Sequence, residues 1–224
     1  MVNRQTNPAR VSLPEELVLL VVEDDGGIAY TAGSPGFSMA VLGACLVELN
    51  LAGAIDADLE ALRVLDATPG RGEALDLVLR ELAAGPEATV EQWVMRLFPL
   101  ASDVIRASLD ALIARGVLAR VERRFLWVLK ERSYPVQDDR GQKEAKRRII
   151  DTLLSDEIPT PHDTVLLGLA ITGGLLEAFL SHAEIARLQD RMAVAGGVDL
   201  IVRGVDAALK QDQLIRAQSM VYPF

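Results

Sequence analysis

The sequence is poor in cysteine, in aromatic residues and in uninterrupted apolar segments. Its single cysteine, Cys45, excludes an intramolecular disulfide and a cysteine-based zinc site. Only 4% of the residues are aromatic, so the 50% hydrophobic content is mostly aliphatic, which favours helices. The charge-free stretch 26–47 is interrupted by glycines and Pro35, and the apolar run 165–176 is too short to cross a bilayer.

The remaining composition predicts a folded, cytoplasmic chain. Its 224 residues can bury a sizeable core, and half of them are hydrophobic, which excludes disorder for most of the chain. We expect the polar residues 1–10 to be flexible and to contain no signal peptide, because they have no apolar segment. Residues 11–224 are expected to form a single domain, since no repeat or clear linker divides them.

Local signals predict a mainly α fold with apolar central helices surrounded by amphipathic helices. Ser12 with Glu15, and Thr89 with Gln92, form capping boxes, which mark helix starts. The segment from about 37 to 51 is apolar on nearly all sides, as expected of a helix at the centre of a core. Cys45 in this segment is therefore predicted to be a buried small hydrophobic residue.

A β-hairpin is predicted after a helix that spans about 101–115. Two apolar runs, Val117–Val121 and Phe125–Leu129, flank a polar turn at Glu122–Arg124. A helix followed by such a hairpin resembles a winged-helix element. A DNA-reading version would carry several basic and amide side chains on that helix, whereas here aspartates oppose the two arginines. Nucleic acid is therefore disfavoured as a partner.

Positive charge is concentrated in one part of this acidic chain, whose formal net charge is -9. Residues 106–148 contain twelve basic and six acidic residues, a surplus of +6, so the remainder carries -15. This segment could bind phosphate groups, or its cations could be solvated and paired with acids of the same domain. Candidate phosphate contacts are Arg106, Arg115, Arg123 and Arg124, and candidate residues for membrane insertion or self-association are Phe125, Leu126, Trp127, Val128 and Leu129.

The sequence offers little support for a catalytic, metal or nucleotide-binding site. Ser34 sits in a near match to a nucleophile elbow, but Pro35 next to it is more typical of a helix start. His162 and His182 are far apart in sequence and have no neighbouring cysteine, which disfavours a metal site. No Walker loop or dinucleotide fingerprint is present. We therefore expect a protein without cofactor, metal or enzymatic activity.

Several short motifs occur in an order that resembles the Golgi phosphoprotein 3 family. They are LPEELVLLVVEDDGG, GACLVELNLAGAID, ARGVL, a hairpin ending in YPV, and KEAKRRIIDTLL, which together span roughly residues 11–221. The alanine-rich, arginine-over-lysine composition resembles a bacterial, actinobacterial type of member. The resemblance implies a helical domain with a projecting hairpin, and a peripheral membrane protein that binds phosphatidylinositol 4-phosphate. It also implies membrane contact and self-association through the hairpin.

The resemblance also implies a headgroup pocket, built in eukaryotic members from one tryptophan and three arginines. The motifs align these positions with Gly33, Leu42, Ser102 and Ile105. None of these residues supplies the guanidinium group that binds a phosphomonoester through paired, charge-assisted hydrogen bonds, although Arg106 lies one position away. The pocket residues therefore leave the identity of the lipid open.

The sequence favours a peripheral protein that binds anionic lipid at the inner face of a membrane, through the basic segment and the hairpin. The alternative is a soluble protein-interaction or regulatory module with the same fold and no lipid binding. Basic residues gathered on one face with the hairpin would favour the first hypothesis. Basic residues paired with Asp and Glu would favour the second.

Overall fold

The computed structural model describes residues 11–23, 26–125, 129–155, 158–195 and 199–221 and confirms a mainly α fold. The helices are α1 Leu13–Leu20, α2 Pro35–Leu51, α3 Glu73–Ala84, α4 Val90–Leu97, α5 Ala101–Ala114, α6 Arg140–Leu154, α7 Pro161–Thr172, α8 His182–Ala195 and α9 Leu200–Val221. The strands are β1 Ile55–Ala57, β2 Leu62–Val64, β3 Val121–Phe125 and β4 Leu129–Ser133. Among the helices in these ranges, none combines the length and apolar character needed to cross a bilayer.

Side chains at the predicted helix starts satisfy the unpaired backbone groups there. The Ser12 N–H donates to Glu15 Oε2 at 2.7 Å, and the Gln92 N–H donates to Thr89 Oγ1 at 3.3 Å. Ser34 accepts a hydrogen bond from the Phe37 N–H at 3.0 Å, so its hydroxyl caps α2. This role agrees with the proline that follows it and accounts for the near match to a nucleophile elbow.

The core is built around α1 and α2. All eight residues of α1 are buried, and α2 contacts α1, α3, α5, α7 and α9. The prediction of an apolar central helix is confirmed, because most α2 residues are buried on all sides. The amphipathic helices α3 and α4 pack against α2, and α6 packs against α1; each buries one face, as an apolar stripe requires.

Helix α1 is fixed at both ends by side chains of other helices. At its first residue, the Leu13 N–H donates to Glu48 Oε1 of α2 at 2.9 Å. At its end, the buried Gln142 of α6 donates through Nε2 to the carbonyl oxygens of Leu19 at 2.9 Å and Val22 at 2.6 Å. Because α1 is too short to be stable alone, these bonds and its burial define where it begins and ends.

The thiol of Cys45 is fully buried in α2, as the sequence predicted. Burial raises its pKa well above the usual range, and the charges of Glu48 and Glu15 raise it further. Since the thiolate is the reactive form, we expect a thiol-specific disulfide reagent to react with Cys45 only when the core opens. The reaction should follow the unfolding transition in urea. Rapid reaction of the native protein would contradict this placement of Cys45.

The β3–β4 hairpin has a different register from the one that the sequence predicts. Strands β3 and β4 pair Glu122 with Arg132, Arg123 with Glu131 and Phe125 with Leu129. The predicted turn at Glu122–Arg124 is therefore wrong, because those residues lie within β3 and the connection falls at 126–128. This register aligns two pairs of opposite charge, which stabilise the ribbon, and one pair of like charge, Arg124 with Lys130, which opposes them. The winged-helix resemblance of α5 and this hairpin is not confirmed.

Candidate functional site

The basic segment 106–148 is distributed over α5, the β3–β4 hairpin and α6. On α5, the exposed guanidinium of Arg106 contacts Asp103 at 2.8 Å. Arg115, directly after α5, contacts Glu15 of α1 at 2.5 Å, and its side chain is 29% exposed. Both predicted phosphate contacts thus already bind carboxylates. The ion pair between Arg115 and Glu15 also links the end of α5 to the central helix α1.

Cations near the start of α6 are paired in the same way. Arg140 contacts Asp138 at 2.6 Å, Lys143 contacts Asp139 at 2.6 Å, and Arg147 contacts Glu144 and Asp151 at 2.6 Å each. The hydrogen bonds from Arg140 lower the pKa of Asp138 to about 2, and those from Arg147 lower the pKa of Glu144. These carboxylates are ionised at neutral pH, so Arg140 and Arg147 are held in ion pairs with neighbouring residues.

A largely buried group of charges joins α1, α6 and α7, and no local pattern in the sequence predicts it. Arg148 of α6 contacts the carboxylate of Glu16 through Nη2 and lies 3.4 Å from Asp163 Oδ1 through Nη1. His162 Nε2 lies 2.8 Å from Glu16 Oε2. We call Glu16, Arg148, His162 and Asp163 the buried ion cluster. Its contacts hold three helices together, which makes Arg148 a structural cation and not a surface one.

A cleft of about 490 Å³ lies where α1, α3 and α5 meet, but its charges do not suit a phosphate. Arg71 and Arg115 line it together with Glu15, Glu73 and Asp110. Arg71 also contacts Asp66 at 2.6 Å, so both cations of the cleft are in ion pairs. The carboxylates outnumber the cations, and an anionic headgroup would meet net repulsion.

The four positions aligned with the eukaryotic headgroup pocket differ widely in exposure. Leu42 is fully buried in α2, where it belongs to the core. Gly33 lies in a 3-10 turn, Tyr30–Gly33, before α2, and its backbone is exposed. On α5, Ser102 is exposed and Ile105 is half-buried. None of these side chains can donate the charge-assisted hydrogen bonds that a phosphomonoester needs.

The β3–β4 hairpin is the part of the basic segment that is least involved in the helical core. Its strands contact mainly each other, and Phe125 pairs with Leu129 at the far end of the ladder. Arg123 and Arg124 lie in β3 directly before that end. Leu126, Trp127 and Val128, which the sequence predicts to take part in membrane insertion or self-association, lie outside the described residues. Phe125 ends β3 and Leu129 begins β4, and the sequence from 125 to 129 is apolar throughout.

These features define a mainly helical protein with a largely buried central helix pair and a basic hairpin that packs mainly on itself. The family model described as Golgi phosphoprotein 3 (GPP34) matches residues 13–211, and the chain belongs to this family. The match covers nearly the whole chain and confirms the resemblance seen in the motifs. The family is known for Golgi- and lipid-related functions and is not a known enzyme family. No curated protein matches the chain.

Proposed function

We propose that this protein attaches to an anionic membrane surface as a peripheral protein, through the β3–β4 hairpin. The apolar end of the hairpin, Phe125–Leu129, would enter the interface, and Arg123 and Arg124 would contact lipid phosphates. The protein would act by binding and not by catalysis, in the cytoplasm at the inner face of the membrane. Phosphatidylinositol 4-phosphate is the lipid that the family resemblance suggests.

The hairpin register is the observation that supports this proposal most. It puts two arginines one and two residues before a continuous apolar end, on a ribbon that contributes little to the core. Buried CH₂ groups contribute about 0.8 kcal/mol each, and a cation near an anionic leaflet contributes about 1 kcal/mol. Together these contributions suit reversible attachment to a membrane surface.

Arg106 and Arg115 stay candidate phosphate contacts within this proposal, but with a smaller role. Each would have to exchange a carboxylate for a phosphate, since Arg106 contacts Asp103 and Arg115 contacts Glu15. For Arg115 this exchange would leave a buried carboxylate of α1 without its cation, which is unfavourable. We therefore assign the main electrostatic contribution to the hairpin.

The double change Arg123→Glu with Arg124→Glu is expected to weaken vesicle binding by roughly 30-fold or more, because two attractions of about 1 kcal/mol each become repulsions. Binding is measured by co-sedimentation with phosphatidylcholine vesicles that do or do not contain phosphatidylserine, across a salt series. The wild-type affinity for the anionic vesicles should fall as salt rises. Unchanged binding of the double variant would refute the proposal.

The matched control is Arg80→Glu with Arg187→Glu, which alters the net charge equally on α3 and α8. This control changes the net charge by the same amount but leaves the hairpin intact. It should therefore bind vesicles nearly as well as the wild type if the hairpin makes the contact. A third vesicle set contains phosphatidylinositol 4-phosphate. Binding to this set alone would mean that a headgroup pocket exists despite Gly33, Leu42, Ser102 and Ile105, and would overturn the alignment of that pocket.

A second candidate function is a soluble protein-interaction or regulatory module. The observation that favours it is the ion pairing on α5 and α6, where most of the described cations contact carboxylates of the same chain. In that case the apolar hairpin end would bind another protein or a second copy of this chain. The wild-type protein would then bind none of the vesicles. Sedimentation equilibrium of the wild type and the hairpin variant would show whether the hairpin mediates self-association.

A further inference from the structure

The base of the β3–β4 hairpin is held by the backbone of the loop that follows α1. The Tyr134 N–H, directly after β4, donates to the carbonyl oxygen of Gly26 at 2.7 Å. Gly26 is buried and has a φ of +86°, which favours glycine. A Cβ atom at this position would lie 2.6 Å from the Pro135 nitrogen and 2.9 Å from its Cα, closer than atoms can approach. Only glycine therefore fits here.

The other attachments of the hairpin base lie in the segment between α5 and β3. Leu118 is buried in the core and forms an isolated β-bridge with Val136. The Ala119 N–H donates to the Pro135 carbonyl oxygen at 2.9 Å. Beyond these residues the hairpin strands contact mainly each other. The direction of the hairpin thus depends on Leu118 on one side and on the contact of Gly26 with Tyr134 and Pro135 on the other.

Described residues on both sides of Gly26 are bonded to the rest of the domain or to each other. Gln142 fixes the end of α1 through the carbonyl oxygens of Leu19 and Val22, and Val22 forms a β-bridge with Ile28. Gly26 lies between these two bridged residues. The contact between Gly26 and Tyr134 therefore links β4, the second strand of the hairpin, to the segment that follows the buried helix α1.

We propose that the clasp formed by Gly26 with Tyr134 and Pro135 is a positioning device that sets the orientation of the hairpin for attachment. This inference rests on the proposed function, since orientation matters only if the hairpin end docks on a surface. A hairpin held in its binding orientation loses less conformational freedom on docking, so it binds more tightly. Gly26 does not touch the lipid; it acts through β4.

The test is Gly26→Ala, with Gly53→Ala as its matched control. Gly53 has a φ of +67°, but a Cβ there meets no atom within 4 Å, so this control reproduces the strain without the clash. The first readout needs no lipid: trypsin cleavage after Arg123 and Arg124, mapped by mass spectrometry. Gly26→Ala should accelerate cleavage there by about tenfold, because the local opening of the hairpin becomes more favourable. The second readout is binding to phosphatidylserine vesicles, which should weaken by about tenfold.

A second pair of variants keeps the test decisive if Gly26→Ala folds poorly. Tyr134→Pro removes the N–H that donates to Gly26, whereas Tyr134→Ala keeps this N–H and removes the same ring. Only the proline variant should accelerate cleavage in the hairpin. If each variant is cleaved at the same rate as its control and binds vesicles with the same affinity, the proposed clasp is refuted. Accelerated cleavage together with a wild type that binds no vesicles would support the clasp as a structural element and refute the proposed function.

Discussion

Replacing Arg148 by alanine is expected to lower the free energy of unfolding by about 3 kcal/mol, because it leaves buried carboxylates without their cation. The side chain of Arg148 is only 20% exposed, and that of its partner Glu16 is 9% exposed. Asp163 would also lose the nearby guanidinium. His162 would remain beside Glu16, but it carries a charge only when protonated. Urea unfolding followed by circular dichroism measures the change.

Arg147 is the natural control, since it precedes Arg148 on α6 and contacts two carboxylates, Glu144 and Asp151. Its side chain is 60% exposed, and water screens both of its ion pairs. Arg147→Ala should therefore leave the urea midpoint nearly unchanged. Arg148→Lys should fall between the wild type and the alanine variant, because lysine keeps the charge and loses the fork of donors. Equal effects of the two alanine substitutions would show that the buried ion cluster does not stabilise the fold.

The start and end of α2 illustrate how much of this fold the sequence predicts. The expected helix from about residue 37 to Leu51 and the observed α2, Pro35–Leu51, share their last residue. Ser34 caps the first turn, Pro35 suits its first position, and Gly53 with a φ of +67° follows the end. These signals act within a few residues of one another, so they are visible without any tertiary information.

The hairpin shows where local signals mislead. The most polar residues, Glu122–Arg124, looked like a turn, yet they lie within β3. Most residues of both strands are charged, so apolar alternation does not define the register. The register instead follows cross-strand partners such as Arg123 and Glu131, which become visible only when both strands are aligned. Of the apolar run 125–129, which was expected to form one strand, Phe125 ends β3 and Leu129 begins β4.

The charge count of the basic segment was correct, but its interpretation needed the structure. Arg148 and Glu16 are 132 positions apart in sequence, and no local pattern connects them. The same holds for Arg115 and Glu15. A surplus of +6 in residues 106–148 therefore does not amount to a positive surface on α5 and α6. The pairing shifts the proposed lipid contact from the helices to the hairpin, where Arg123 and Arg124 lie.

Gly43→Ala is expected to lower the free energy of unfolding by about 2 kcal/mol, although a glycine-to-alanine change within a helix usually stabilises it by roughly 0.5–1 kcal/mol. Gly43 lies in the middle of α2, where α7 and α9 approach closely. A Cβ at this position would lie 2.4 Å from Val205 Cγ2 and 3.0 Å from Leu169 Cδ2. Both neighbours are fully buried, so they cannot move into solvent.

The double variant Gly43→Ala with Val205→Ala separates overpacking from other causes. Val205→Ala removes the nearest atom, and the Cβ that remains is 3.7 Å away, an ordinary contact distance. Val205→Ala alone leaves a cavity and should itself be destabilising. If the clash is the cause, the double variant will lose clearly less stability than the sum of the two single changes. Gly33→Ala, whose Cβ meets no atom within 4 Å, should be nearly neutral in the same urea titration. Additive losses would mean that α2 shifts to accommodate the methyl group, and the close approach of the three helices would then not limit the size of residue 43.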